Sequence, residues 1–199
     1  MCVPKRLMDL ALTLLALPFV VPVILVMALI LAVELRGNPF FVQERIGLHG
    51  KPFRMYKLRT MRHAGPGEEE HYHVEDFRTF VFSPAGEVHP RLTKWGAWAR
   101  RLSIDELPNL LNVLRGEMSL VGPRPEIPEI VEQYPAHYHR RHDVLPGVTG
   151  LAQATGRSDL TYDETLTYDL QYVDNHSVLE DLRILWRTAA TVLTGTGAR

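Results

Sequence analysis

The chain has 199 residues, with 22 Lys and Arg against 23 Asp and Glu, for a formal net charge of −1. That balance excludes bulk electrostatic attraction to nucleic acid, and the length allows one compact domain plus an appended segment. A lone cysteine, Cys2, excludes an intramolecular disulfide and fits a reducing compartment.

The apolar residues crowd into the first 35 positions. From Leu10 to Val33 only Thr13 is polar, which meets the roughly 20 apolar residues a bilayer span needs. A secretory signal is disfavoured, because the run is too long and lacks a small-x-small cleavage site. Basic residues flank the block on both sides: Lys5 and Arg6 before it, Arg36, Arg45, Lys51, Arg54, Lys57 and Arg59 after it. Positive charge marks the cytoplasmic side, and here it marks both ends. Pro18 and Pro22 each lack an N–H and crowd the carbonyl four residues earlier, so Leu14 and Pro18 lose helical partners. On these residues alone a re-entrant hairpin and a kinked span both stay open. Asp9 demands the interface or a basic partner.

Next, "FFVQERIGLHGKPFRMYKLRTM" predicts two short strands around a His49-Gly50 turn, suited to a sheet beside lipid headgroups. Residues 62–76 are polar and turn-rich and predict a surface loop, within a variable region running to about residue 90. His71 and His73 in that loop are read as solvated rather than as metal ligands. "FRTFVF" predicts a further strand. "RLTKWGAWARR" predicts a helix with Trp95 and Trp98 on one face, either as an interfacial anchor or as core packing. At the far end, Ser177 and Glu180 fit a capping box. Leu182, Leu185, Trp186, Ala189, Val192 and Leu193 follow at helical spacing. The stripe is expected to bury against the core, with a membrane-surface role as the alternative.

The chemistry concentrates in "RRLSIDELPNLLNVLRGEMSLVGPRPE", residues 100–126. Ser103 and Glu106 fit a capping box, so Glu106 could simply satisfy backbone N–H groups and Asp105 complement the helix dipole. Arg100, Arg101, Arg115 and Arg124 nearby argue for more. A carboxylate among guanidinium groups is expected to stay ionised, fit to act as a nucleophile or divalent-metal ligand. Together with helical N–H groups, this pattern describes a diphosphate site. Pro123 and Pro125 hold Arg124 between two residues of fixed φ. The glycines of "LPGVTGLAQATGR" predict close backbone approach to a ligand, with Arg157 reaching another phosphate.

These segments, with "KRLMD", "FFVQERIG", "YKLRTM" and "SIDELPNLLNVLRGEMSLVGPRP" in order, resemble the monotopic phosphoglycosyl transferases, the bacterial sugar transferase family. The resemblance covers nearly the whole chain. It implies transfer of a sugar 1-phosphate from a UDP-sugar to undecaprenyl (polyprenyl) phosphate, with release of UMP. That reaction is the first membrane step towards glycans such as exopolysaccharide, capsule or lipopolysaccharide. Asp105 would attack the β-phosphorus to give a phosphosugar–aspartyl intermediate, and Glu106 would orient or deprotonate the acceptor. Mg²⁺ would sit on Asp105 and Glu106, with Arg100, Arg124, Arg157, Lys57 and Arg59 as phosphate contacts.

The resemblance also implies a fold and a location. The fold is α+β and mostly helical. Residues 1–36 form a re-entrant membrane helix–break–helix, and residues 37–199 a small cytosolic catalytic domain with short strands and an amphipathic C-terminal helix. The protein would be monotopic on the cytoplasmic face of the bacterial inner membrane, with the lipid bilayer as partner, no nucleic acid, and room for a homodimer. The family's membrane break lies at a Ser-Pro pair, here Val21-Pro22, with Pro18 one turn earlier. Leu145 and Leu151 stand where relatives often carry arginine and tryptophan. Two rival readings remain: an inactive membrane-anchored scaffold of a glycan assembly, and a different metal-dependent phosphotransferase.

Overall fold

The computed structural model describes residues 3–65, 74, 76–79, 89–156 and 160–194. Helix α1 (Val3–Leu35) is 33 residues long, about 50 Å at 1.5 Å per residue. It is assigned without interruption through Pro18 and Pro22, so the expected break is not a gap in the helix. Pro18, Val21 and Pro22 are all exposed. Both ends of α1 are buried against the rest of the chain: Lys5, Asp9 and Thr13 near the start, Met27, Ala28 and Leu31 near the end. Between them Leu14, Leu15, Phe19, Val21, Val23, Leu25 and Val26 stay exposed.

Strands β1 (Phe40–Ile46) and β2 (Pro52–Leu58) form an antiparallel hairpin, with Phe40 opposite Leu58 and Ile46 opposite Pro52. The turn places His49 at φ 55° and Gly50 at φ 73°, a left-handed pair at the expected turn. Phe40, Phe41 and Val42 are exposed. Beyond β2 the variable region closes on itself, because Met61 bridges Leu92 and Arg62 N donates to Arg91 O. Phe77–Thr79 form a turn rather than the start of the predicted strand, and His71 and His73 lie outside the described residues. The region is also not purely surface: Val74 is buried, and the Phe77 ring packs on Tyr134, Tyr138 and Tyr162.

Helix α2 (Lys94–Arg101) starts at Thr93, whose hydroxyl accepts from Gly96 N at 3.0 Å. Trp95 and Trp98 meet edge to face and are 42% and 46% exposed, so core packing does not explain them. Ile104–Asn109 form a 3-10 helix that leads into α3 (Leu110–Arg115). The capping box expected at Ser103 does not form: Ser103 is left-handed at φ 55° and its side chain caps nothing. The left-handed backbone at Ser103 replaces the extended conformation an N-cap needs, Glu106 N donates to the Ser103 carbonyl instead, and the Glu106 carboxylate is taken by Lys57 and Arg124.

Strands β3 (Ser119–Val121) and β4 (Gly147–Thr149) pair in parallel. Helix α4 (Pro128–Val131) and a 3-10 segment (Ala136–Asp143) lie between them. Helices α5 (Leu151–Thr155), α6 (Tyr162–Asn175) and α7 (Val178–Thr194) complete the chain. Helix α6 begins with a full capping box from Thr161 and Glu164, and the Ser177 hydroxyl accepts from Glu180 N as α7 starts. The stripe expected to bury on α7 is split: Leu185 packs against buried Val121, Tyr172 and Ile184, while Leu182 is 47% and Trp186 77% exposed. Its inner face is Asp181 and Ile184, both fully buried. Asp181 sets that rotation by accepting from Lys5 Nζ at 2.6 Å and Tyr172 OH at 2.6 Å. The described chain is thus mostly helical, with four short strands and one long apolar helix at its start.

Candidate active site

Asp105 and Glu106 sit in the 3-10 segment, over which β2 brings Lys57 and the Gly122–Pro125 run brings Arg124. Glu106 Oε1 accepts from Lys57 Nζ at 3.0 Å and from Arg124 Nη2 at 2.6 Å. The Lys57 and Glu106 side chains are 15% and 16% exposed, while Arg124 keeps 42% of its side chain open to solvent. Asp105 is 8% exposed, and its carboxylate makes no hydrogen bond or ion pair among the described residues. One carboxylate is doubly paired; its neighbour is free to react.

The electrostatics split the dyad. Burial pushes the Asp105 carboxyl above its ordinary value, and the adjacent Glu106 charge pushes the same way against Lys57, Arg100 and Arg124. Burial alone would raise Glu106 too, but Arg124 and Lys57 override it and hold that carboxyl far below the usual range. The expectation that nearby arginines lower a carboxylate's pKa therefore holds for Glu106 and is corrected for Asp105. Burial also lowers the Lys57 ammonium, partly offset by Glu106.

Other predicted residues divide cleanly. Arg100 lies close enough to act on Asp105, and Thr60 Oγ1 fixes it by accepting from Arg100 Nε at 2.9 Å. Arg59 touches His63 and makes no contact with the dyad. Arg115 stacks on Tyr56 and donates to its hydroxyl at 2.6 Å, away from the carboxylates. Arg157 lies outside the described residues. The glycines of the "LPGVTG" run serve a different approach from the expected one. A Cβ on Gly147 would lie 2.1 Å from Gly122 N, so the close neighbour is the β3 strand end and not a ligand. Leu145 is buried at 7% exposure.

Five residues that sequence reasoning missed complete the surroundings. Arg45 Nη1 donates to Glu126 Oε1 at 2.8 Å, and Tyr162 OH donates to Glu126 Oε2 at 2.8 Å. Arg141 Nη2 donates to the Arg124 carbonyl at 2.6 Å and pairs with buried Asp169. Glu126 and Arg45 stood in quoted segments, but Arg141 and Asp169 are 28 positions apart and carry no local signal.

No cluster of three or more His, Cys, Asp or Glu side chains that could hold a metal occurs among the described residues. Mg²⁺ needs no such cage, because it keeps several waters and takes one or two carboxylates plus substrate phosphates. The free carboxylate of Asp105 fits that demand; Glu106, shared by two cations, fits it less well.

The chain matches the family model described as "Bacterial sugar transferase" over residues 2–195. It is 41% identical over 196 residues to "Uncharacterized sugar transferase EpsL" of Bacillus subtilis, covering 97% of this chain and 89% of that protein. To "UDP-N-acetylgalactosamine-undecaprenyl-phosphate N-acetylgalactosaminephosphotransferase" of Aeromonas hydrophila it is 37% identical, over 98% of this chain but 45% of that one. To "UDP-glucose:undecaprenyl-phosphate glucose-1-phosphate transferase" of Xanthomonas campestris pv. campestris it is 38% identical, over 96% and 39%. The chain thus spans less than half the length of these last two relatives and most of the first. Nearly the whole described structure, dyad included, lies within the matched region. The chain belongs to the bacterial sugar transferase family.

Proposed function

We propose that this protein transfers a sugar 1-phosphate from a UDP-sugar to undecaprenyl phosphate and releases UMP. The observation that carries the reading is the divided dyad: a buried, unpaired Asp105 beside a Glu106 clamped by Lys57 and Arg124. In the first step an Asp105 oxygen attacks the β-phosphorus of the UDP-sugar. The bond from that phosphorus to the bridging oxygen breaks, and UMP leaves with the oxygen and its electron pair. In the second step a phosphate oxygen of undecaprenyl phosphate attacks the same phosphorus. The Asp105–phosphorus bond breaks, which frees the carboxylate and leaves the lipid diphosphate sugar.

Burial suits Asp105 to this role, because a poorly solvated carboxylate is a stronger nucleophile than one fully hydrated. Glu106 is a poor base while two cations hold it ionised, so it is assigned to orienting Lys57 and Arg124 towards the diphosphate. The acceptor needs no strong base, since a phosphate monoester loses its second proton near a pKa of about 6. Arg100 and the exposed part of Arg124 supply charge-assisted hydrogen bonds to developing phosphate charge. When bound at Asp105, Mg²⁺ would neutralise diphosphate charge.

The protein is further read as monotopic on the cytoplasmic face of the inner membrane. Support comes from α1, whose two ends dock on one domain while its middle stays apolar and exposed. A spanning helix would place those ends on opposite sides. Exposed Trp95 and Trp98 stand at the α1 C-terminal end, where Trp95 N donates to Glu34 at 3.2 Å. The product would start a surface glycan, in keeping with relatives named "Exopolysaccharide production protein ExoY".

A panel of UDP-sugars with undecaprenyl phosphate and Mg²⁺, scored by UMP, tests the reading. One donor giving UMP and a lipid-linked product upholds it. No UMP from any donor would favour a scaffolding role, and inorganic phosphate or another nucleotide would favour a different phosphotransferase.

A further inference from the structure

Helix α1 contacts the runs that carry Lys57, Arg100 and Asp105, and the strand that leads into Arg124. Near its C-terminal end Met27, Ala28 and Leu31 share a buried cluster with Leu58 and Ala99, and Ile104 packs against it. Those three are the chain neighbours of Lys57, Arg100 and Asp105. Near its N-terminal end Arg6 donates to the carbonyls of Val113 and Leu114 at 2.6 and 3.0 Å, closing the end of α3. Asp9 accepts from Ser119 Oγ at 2.7 Å and from Leu120 N at 3.2 Å. Lys5 Nζ reaches Val121 O at 3.0 Å while it pairs with Asp181.

We infer that Asp9, supported by Lys5, is a positioning residue that sets the Arg124–Glu106 pair through β3. The inference rests on the proposed reaction and deepens it: the apolar helix is part of the scaffold of the site as well as its anchor. Strand β3 is three residues long and among the described residues pairs only with β4, and an isolated two-stranded pair is marginal on its own. Helix α1 adds Asp9 at Leu120 N and Lys5 at Val121 O, a carbonyl that also accepts from Tyr172 OH at 3.1 Å. From Val121 the chain passes through Gly122 and Pro123 to Arg124, a short run with little freedom. Gly122 N is tied to Thr149 O at 2.9 Å and Gly147 N to Pro123 O at 2.9 Å. A displacement of β3 is therefore delivered to the guanidinium on Glu106.

Asp9 is fully buried on a helix that is otherwise largely apolar. Anchoring would be served better by leucine, since burying a carboxylate is costly unless it is hydrogen-bonded. Its two acceptor bonds to β3 account for its presence.

The test is a double-mutant cycle on the full-length chain in nanodiscs, with Asp9→Ala, Arg124→Lys and the double variant. Asp9→Ala is expected to lower kcat for UMP release by about 10- to 100-fold, with a much smaller change in KM, as a misplaced catalytic group does. The double variant should be little worse than Arg124→Lys alone, because both changes disable one element. Asp9→Asn keeps an oxygen for Leu120 N and should restore most of the rate. Thr13→Val removes a buried hydroxyl that has no partner among the described residues and should leave kcat unchanged. Should Asp9→Ala fail to accumulate folded, Ser119→Ala replaces it, removing only the hydroxyl that donates to Asp9. Effects that multiply in the double variant, or wild-type kcat in Asp9→Ala, overturn the inference. If no donor is turned over, the proposed reaction fails separately. The same cycle read in thermal stability then decides the coupling, and additivity overturns it.

Discussion

Arg124 Nη2 lies 2.6 Å from Glu106 Oε1, on the same carboxylate oxygen that accepts from Lys57 Nζ at 3.0 Å. Two cations on one oxygen leave the adjacent Asp105 carboxylate unpaired, and this asymmetry assigns different tasks to neighbouring acids.

Removing Asp105's charge should separate activity from stability. The Asp105→Asn variant is expected to release no UMP yet to melt higher than wild type at pH 7, by roughly 2–4 °C for a gain of about 1 kcal/mol. The sign follows from burial: with its folded pKa raised above 3.8, Asp105 favours folding when protonated and loses that contribution as pH rises through the folded value. The two melting curves should therefore converge near pH 4 and below. A variant less stable than wild type at pH 7 would contradict the raised value, and a fully active one would end the nucleophile assignment.

Glu106→Gln should do the reverse. It strands Lys57 and Arg124, and breaking such a pair costs up to about 3–5 kcal/mol when fully buried. Arg124's partial exposure reduces this to about 2 kcal/mol, or a fall in Tm of roughly 4–8 °C. With its folded carboxyl held low, Glu106 stabilises wild type at neutral pH and loses that contribution as pH falls below its ordinary 4.5. Differential scanning fluorimetry across pH 3 to 8 reads both variants.

His142 should shape the acid limb of stability. Burial and the nearby Arg141 charge lower its pKa to about 4 from 6.5. The unfolded chain binds that proton first, so stability falls as pH drops from 6.5 towards 4, by up to about 1.4 kcal/mol per unit. Replacement by Phe, which keeps a ring against Tyr134, should flatten this stretch of a chemical-denaturation series. An unchanged slope would place the acid sensitivity elsewhere.

Two glycine substitutions should differ in kind. In Gly147→Ala the new methyl would lie 2.1 Å from Gly122 N, forcing β3 and β4 apart, with a cost above about 2 kcal/mol and a loss of UMP release. At Gly50 nothing lies within 4 Å, so alanine pays only for its φ of +73°, about 1–2 kcal/mol. Activity should survive the second change and not the first.

Topology is open to labelling. A membrane-impermeant maleimide added to inside-out vesicles should reach both Cys2 and a cysteine placed at Gly50. Opposite accessibility of the two positions would establish a span and exclude re-entry.

Periodicity, punctuation and charge in the sequence determined the long apolar block, the hairpin around His49-Gly50, a helix within residues 91–101 and the acidic pair at 105–106. These are local features, set by spacing and by glycine and proline. The same reading placed a capping box at Ser103 and buried the α7 stripe, because a local pattern cannot weigh a long-range partner. Lys57 and Arg124 took the Glu106 carboxylate from the first, and Asp181, pairing with Lys5, turned inward in place of Leu182 and Trp186 in the second. Only the tertiary structure decided which acid is clamped, since Lys57 and Arg124 reach Glu106 from separate elements. Ion pairing and desolvation depend on distance in space, and one-dimensional order does not encode that.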